Sequence, residues 1–223
     1  AAVDDALRFL EDEALYSRAG HAGVRQIDVR GLIAASFTHR DSRAGDPNLH
    51  THVAIANKVQ GLDGKWRSID GRLIYQARVA VSEAYNTQLE AHLREALGLE
   101  FVEREPGTLE RRAVREVVGI PSELVELWSS RRALIESRQA ELAAEFQTRH
   151  DRPPTPAEAI RLAQQATLET REAKHAPRSH EEQRRTWRAQ VEAAIGVEGI
   201  GRALAHSLGR ATASRVDITE VLL

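Results

Sequence analysis

The run Leu49–Val59 constrains this chain more than any other, because its residues alternate with period two. Leu49, Thr51, Val53 and Ile55 fall on one face, and His50, His52, Ala54 and Ala56 on the other. That pattern demands a β-strand and sets two imidazoles side by side. Upstream, Leu32–His39 reads as a second short strand, and Ala44-Gly45-Asp46-Pro47-Asn48 as the turn between them. The spacing His39-x10-His50-x-His52 then lets a third imidazole face the pair from the neighbouring strand. An isolated His-x-His is common on exposed strands, so the third histidine carries the reading. Three neutral imidazoles without a fourth protein ligand suit a catalytic metal centre with open positions. Ala54 and Ala56 leave room for substrate. A His-x-His-x-Asp-His site is excluded by Ala54 and Ile55, and a site needing an acid soon after His52 by Ala56 and Asn57.

Around this centre helical and extended periodicities alternate. Val3, Ala6, Leu7, Leu10 and Ala14 have helical spacing over residues 3–16, ended by Gly20–Gly23. Residues 24–59 read as β-structure, Gly61-Leu62-Asp63-Gly64 as a turn and Lys65–Ile69 as a strand, together an antiparallel meander. Leu73, Ala77, Val81, Ala84, Tyr85, Leu89, Leu93 and Ala96 mark one long helix stopped by Gly98. Leu99–Val102 is expected to return to the sheet, with another short strand within Thr108–Ile120. Helical material runs from Pro121-Ser122 to about Arg149, followed by the linker Arg152-Pro153-Pro154. Thr155-Pro156-Ala157-Glu158 and Ser179-His180-Glu181-Glu182 are capping boxes that start further helices. Gly196–Leu223 reads as a short helix and an extended tail. The expected fold is mixed α/β (α+β): an antiparallel sheet carrying the three histidines, packed with helices, then a mostly helical lid. The expected divisions are 1–103, 104–195 and 196–223.

Composition narrows the partners. A net charge of −2 argues against a globally basic DNA binder, although a local basic groove is compatible with it. With no cysteine, any metal must be held by histidine or carboxylate. No apolar run is long enough to span a membrane and no signal peptide is visible, so a cytoplasmic protein without membrane insertion is expected. The chain opens on Ala1-Ala2-Val3 and contains no methionine. It therefore reads as an excised fragment of a methionine-poor protein, or as a chain whose modified methionines were left out of the written sequence.

The sequence Phe37-Thr38-His39-Arg40-Asp41-Ser42-Arg43-Ala44-Gly45-Asp46-Pro47-Asn48-Leu49-His50-Thr51-His52, followed by Asn57, resembles the signature of MobF-type conjugative relaxases, within the HUH endonuclease superfamily. Further pieces agree in order: Asp63–Arg67, Tyr85 and Leu89, Gly119-Ile120-Pro121, Trp128–Arg132, Thr170–Lys174 and Trp187. The similarity covers roughly residues 1–195. It implies one divalent cation (Mg, Mn or Zn) on His39, His50 and His52, polarising the scissile phosphate of single-stranded DNA at a transfer origin. A tyrosine attacks in that family, leaving a 5′-phosphotyrosyl link and a free 3′ hydroxyl, and other conjugation proteins are expected as partners. The family's tyrosines, and the acid orienting a ligand histidine, lie upstream of anything matched here. Tyr16, Tyr75 and Tyr85 do not match them and read as packing residues, so no catalytic residue is assigned. The chain alone is expected to bind metal weakly and not to nick DNA.

Arg40 and Arg43 flank the metal-site turn and are the first candidates for phosphate contact. By resemblance, Arg171 and Lys174 belong to a helical lid over bound DNA. Trp66, Trp128 and Trp187 can stack on bases, but core or boundary packing suits each better. Two other readings remain open: a non-catalytic DNA-binding or docking module that keeps the fold, and a metal-dependent hydrolase of small substrates. The second shares the triad but not the downstream motifs.

Overall fold

The structure is a computed structural model and describes residues 1–104, 113–171, 173 and 176–208. Their contacts fall into two units: Ala1–His39 with His50–Val118, and Arg40–Leu49 with Gly119–Ala205.

The first unit begins with α1 (Ala2–Ala14), whose residues Ala2, Ala6, Leu10 and Ala14 repeat every fourth position and are all buried. This stripe packs against the long helix α2 (Gly71–Leu97). α1 ends at Ala14, earlier than the expected stop at Gly20–Gly23, because Leu15 is extended and its side chain enters the core. A strand follows at once, β1 (Tyr16–Ala19), so Tyr16 lies within the first strand and not before it. Four residues are too few for a period of two to emerge from a sequence.

β1 pairs antiparallel with β2 (Arg25–Arg30), Tyr16 opposite Asp28. β2 pairs with β5 (Val59–Gly61), and β5 with β6 (Trp66–Arg67). This sheet curls until its first strand meets the residues after its last. Ser17 bridges Ile69, the Ser17 hydroxyl donates to the Ser68 carbonyl at 2.7 Å, and the Asp70 amide donates to the Tyr16 carbonyl at 2.8 Å. Val59 and Ser17 are fully buried inside the curl, with Ser17 satisfied by its hydrogen bond as a buried hydroxyl must be.

β3 (Ala34–Asp41) and β4 (Pro47–Ile55) do not continue a meander. They pair with each other, and with no other strand among the described residues, as a hairpin inserted between β2 and β5. The meander expectation follows the common rule that successive strands pair; here β2 skips the hairpin to reach β5. Likewise β7 (Phe101–Glu103) pairs with β8 (Arg115–Val117) and, among the described residues, does not rejoin the curled sheet.

Asp70 joins the sheet to α2. Its carboxylate caps the helix by accepting from the Arg72 amide at 3.3 Å and from Arg18 Nε at 2.6 Å. The Arg18 guanidinium holds the Asp70 carboxyl below the usual carboxylate range. A lowered native value adds stability that is present above the ordinary carboxylate range and lost as pH falls through the lowered value. Asp70→Ala is therefore expected to cost about 2 kcal/mol at neutral pH, combining a lost cap with an ion pair left half-made. Chemical denaturation at neutral and acid pH checks this: the gap between wild type and variant should shrink in acid, and a gap independent of pH would contradict the assignment.

The second unit holds α3 (Ser122–Leu127), α4 (Ser130–His150), α5 (Pro156–Glu169) and all but the last two residues of α6 (His180–Ser207). The helical stretch expected up to Arg149 is thus interrupted at Trp128-Ser129. Both capping boxes form: Glu158 and Thr155 satisfy each other's amides, as do Glu182 and Ser179. α4 and α5 pack together, with Arg138 bridging Glu141 and Glu145 on its own helix to Glu169 on the next. α6 runs on through Gly196 to Ser207, longer than the short helix expected there, with a kink where Gly196 takes φ +68°. The expected tail beyond residue 208 and the segment 105–112 lie outside the described residues.

Candidate metal centre

The hairpin delivers the three histidines to one place. Thr38 and Thr51 meet across it, their hydroxyls 3.4 Å apart, so the residues beside them, His39 on β3 and His50 and His52 on β4, come together. The ring centroids are 5.4 Å apart for His39–His50, 4.9 Å for His39–His52 and 5.0 Å for His50–His52. One ring nitrogen from each lies within 4.8 Å of the others. His39 and His52 are exposed and His50 is half-buried.

This donor set fits a metal ion. Nitrogens bonded at about 2.1 Å to a common ion lie at most about 4.2 Å apart, and small ring rotations close the difference. No other group of three or more histidine or acidic side chains among the described residues is arranged in this way.

Residues 1–194 match the TrwC relaxase family. The chain belongs to that family. The multifunctional conjugation protein TraI of Escherichia coli is 30% identical over 185 residues, which is 78% of this chain but 9% of TraI. TraI of strain K12 is 30% identical over 154 residues, 64% of this chain and 8% of TraI. The chain thus spans less than a tenth of the length of these relatives. Solved structures agree. Conjugative relaxase TrwC in complex with oriT DNA, in a metal-free form, superposes with TM-score 0.68 at 25% identity, over 86% of this chain and 62% of TrwC. A copper-bound complex of TrwC with oriT DNA gives 0.67 at 26%, over 86% and 61%. TrwC with a 27-mer DNA comprising the recognition hairpin and the cleavage site gives 0.62 at 27%, over 86% and 64%. The resemblance to MobF-type relaxases read from the histidine motif therefore holds for the family and for the mixed α/β fold.

In this TrwC-family chain the hairpin tip is held by residues that sequence reading did not single out for that role. The Ser42 amide donates to the Asp46 carbonyl at 2.9 Å, and the Gly45 amide to the Ser42 carbonyl at 3.0 Å, closing the turn. Arg178 Nη2 then donates to Asp41 Oδ2 at 3.0 Å and to the Gly45 carbonyl at 3.1 Å. Gln183 Nε2 reaches the same Asp41 oxygen at 2.9 Å, Trp187 Nε1 the Gly45 carbonyl at 2.8 Å, and Ser130 Oγ reaches Asp46 Oδ1 at 3.0 Å. Gly45 needs its missing Cβ: its φ is +84°, and a Cβ would stand 3.0 Å from Arg178 Nη2. Trp128 donates to Gln190 Oε1 at 3.1 Å, while Trp66 is exposed.

The predicted DNA contacts are dispersed. Arg40 is exposed, with Nη1 3.4 Å from His180 Nε2. Desolvation, then the charges of Arg40 and Arg184, hold His180 below its ordinary value and favour the neutral ring. Arg43 is half-buried in the turn, and Arg171 is exposed just after α5. Lys174 lies outside the described residues.

Proposed function

We propose that this chain is the metal- and DNA-binding part of a conjugative relaxase, serving strand-specific transesterification of single-stranded DNA at a transfer origin. The observation that carries it is the convergence of His39, His50 and His52 on one side of an exposed hairpin, in a chain of the TrwC relaxase family. When bound, a divalent cation would supply charge stabilisation to the non-bridging oxygens of the scissile phosphate. An all-imidazole donor set favours zinc or copper over magnesium and manganese, which prefer oxygen ligands. Arg40, Arg43, Arg171 and Lys174 are assigned to phosphates of the bound strand, and residues 104–195 to covering it.

The three tyrosines serve elsewhere. Tyr16 sits in β1 opposite Asp28, Tyr75 lies under the Arg78 guanidinium at 4.1 Å, and Tyr85 is within α2. On the family resemblance the attacking tyrosine is assigned to none of these residues, and the chain by itself is proposed to bind DNA without cutting it. No helix among the described residues is long and apolar enough to cross a membrane; a cytoplasmic setting and partners from the conjugation machinery are proposed on the family alone.

The test is affinity for a single-stranded transfer-origin oligonucleotide across a range of salt. Each neutralised phosphate contributes about −0.7 to the slope of log K against log salt for single strands, so the four assigned cations predict a slope near −3. Affinity that ignores salt, or no affinity at all, would reject the DNA-binding reading. Metal-dependent cleavage of that oligonucleotide by the chain alone would reject the assignment of the nucleophile.

A further inference from the structure

The bonds at the hairpin tip do more than close a turn. His39 precedes Asp41 by two residues on β3, and His50 follows Asp46 by four on β4. The turn 42–46 thus decides which residue of β4 stands opposite His39. Register in a hairpin is set by its turn, and a slip of one residue sends every side chain of one strand to the other face. For this ribbon a slip would part His39 from His50 and His52.

Beyond the strand ladder and the Ala56 amide on the Ile33 carbonyl at 2.9 Å, side chains away from the tip add little to the register. The hairpin pairs with no further strand among the described residues. Phe37 and Leu49, 54% and 74% exposed, gain little from packing that would specify one register over another. The Thr38–Thr51 contact is long at 3.4 Å and exposed. The strong side-chain bonds are at the tip, where one Arg178 nitrogen joins the last side chain of β3, Asp41, to the carbonyl of Gly45 inside the turn. Trp187 holds the same carbonyl, and Gln183 the same carboxylate.

We propose that Arg178 is a positioning residue for the three-histidine site: by tying Asp41 to the Gly45 carbonyl it holds the turn that sets β3 against β4, and so the convergence of His39 on His50 and His52. As a metal-site residue Arg178 rests on the function proposed above; its effect on the hairpin does not.

The experiment uses the whole chain and two readouts, one of which needs no metal. Nuclear Overhauser contacts between the His39 ring and the His50 and His52 rings are recorded in metal-free protein, and Cu²⁺ binding is followed by calorimetry and by the nitrogen splitting in its paramagnetic resonance spectrum. Arg178→Ala is expected to lose the ring contacts, to weaken copper binding about 10–100-fold, as removal of a group that orients ligands typically does, and to alter the nitrogen splitting. Arg178→Lys, which keeps the charge and can donate to both acceptors, should restore much of each. Arg138→Ala breaks an ion-pair network within the same unit and should leave both readouts at wild-type values, which separates positioning from general destabilisation. If Arg178→Ala does not fold, Trp187→Phe removes the indole donor to Gly45 while keeping a ring there, and should shift both readouts in the same direction. Ring contacts and copper affinity unchanged in Arg178→Ala, or in a folded Trp187→Phe where that variant stands in, would overturn the proposal. A wild type whose ring contacts disappear in Arg178→Ala but which takes up no metal would support the control of the hairpin and sink the metal-binding part of the proposed function instead.

Discussion

Titrated with Mn²⁺ or Zn²⁺ near neutral pH, this chain takes up one ion weakly, and the His50→Ala variant takes up none. His50 is the half-buried member of the three and shares β4 with His52. Removing it leaves two imidazoles on different strands, too few to displace the ion's water shell. Loss of a direct ligand should exceed the roughly 10–100-fold cost of losing a group that merely orients one. Calorimetry gives stoichiometry and affinity together, and His21→Ala, an exposed histidine on the short turn after β1, is the control expected to bind as wild type. Neutral pH is required because a protonated imidazole cannot ligate. Stoichiometric binding that survives in His50→Ala would remove the triad as the metal centre.

The second large effect is on stability. Asp41→Ala is expected to destabilise the chain by about 3 kcal/mol, at the low end for breaking a buried ion pair. Asp41 and Arg178 side chains are 16% and 28% exposed, so water screens the pair only partly. Without the carboxylate, the Arg178 guanidinium keeps the hydrogen bond to the Gly45 carbonyl and the nearby charge of Glu182, its Nε is already buried without a partner, and Gln183 loses its acceptor. For a protein of this size that corresponds to a fall of roughly 6–12 °C in melting temperature. Scanning calorimetry measures it. Asp41→Asn, which keeps an acceptor oxygen but not the charge, should fall less, and melting unchanged in Asp41→Ala would show that the tip bonds contribute nothing net.

Much of this was legible in the sequence where the signal is local. His-x-His at a spacing of two can face one way only on a strand, and a turn of Gly-Asp-Pro supplies the third imidazole. The capping boxes at Thr155 and Ser179 are four-residue patterns and form as written. What sequence could not supply was pairing at a distance. Nothing in β2 announces that its partner is β5 and not the adjacent β3, because both choices bury one face of a short strand. Arg178, Gln183 and Trp187 lie more than a hundred residues from the turn they hold. Trp187 looked like a packing residue, and only its indole nitrogen on the Gly45 carbonyl shows the more specific role. β1 was missed for a different reason: with four residues, its alternation is indistinguishable from the end of α1.

The curl of the main sheet has a consequence in time. Its closing contact joins Ser17 to Ile69, so a long loop must be brought together before any reward is gained, whereas His39 and His52 are neighbours along a single hairpin. A hairpin closes in about 1–10 μs, long before a sheet with such distant partners, but an isolated two-stranded ribbon is only marginally stable. In a chain made from its N-terminus onward, the three imidazoles therefore meet early and fleetingly, and they are held only once Arg178 and Trp187 have been synthesised. Pulsed hydrogen exchange during refolding should show the Asp70 amide, which donates to the Tyr16 carbonyl across the closure, protected no earlier than those of the hairpin; the reverse order would mean that the curl, not the ribbon, organises the site.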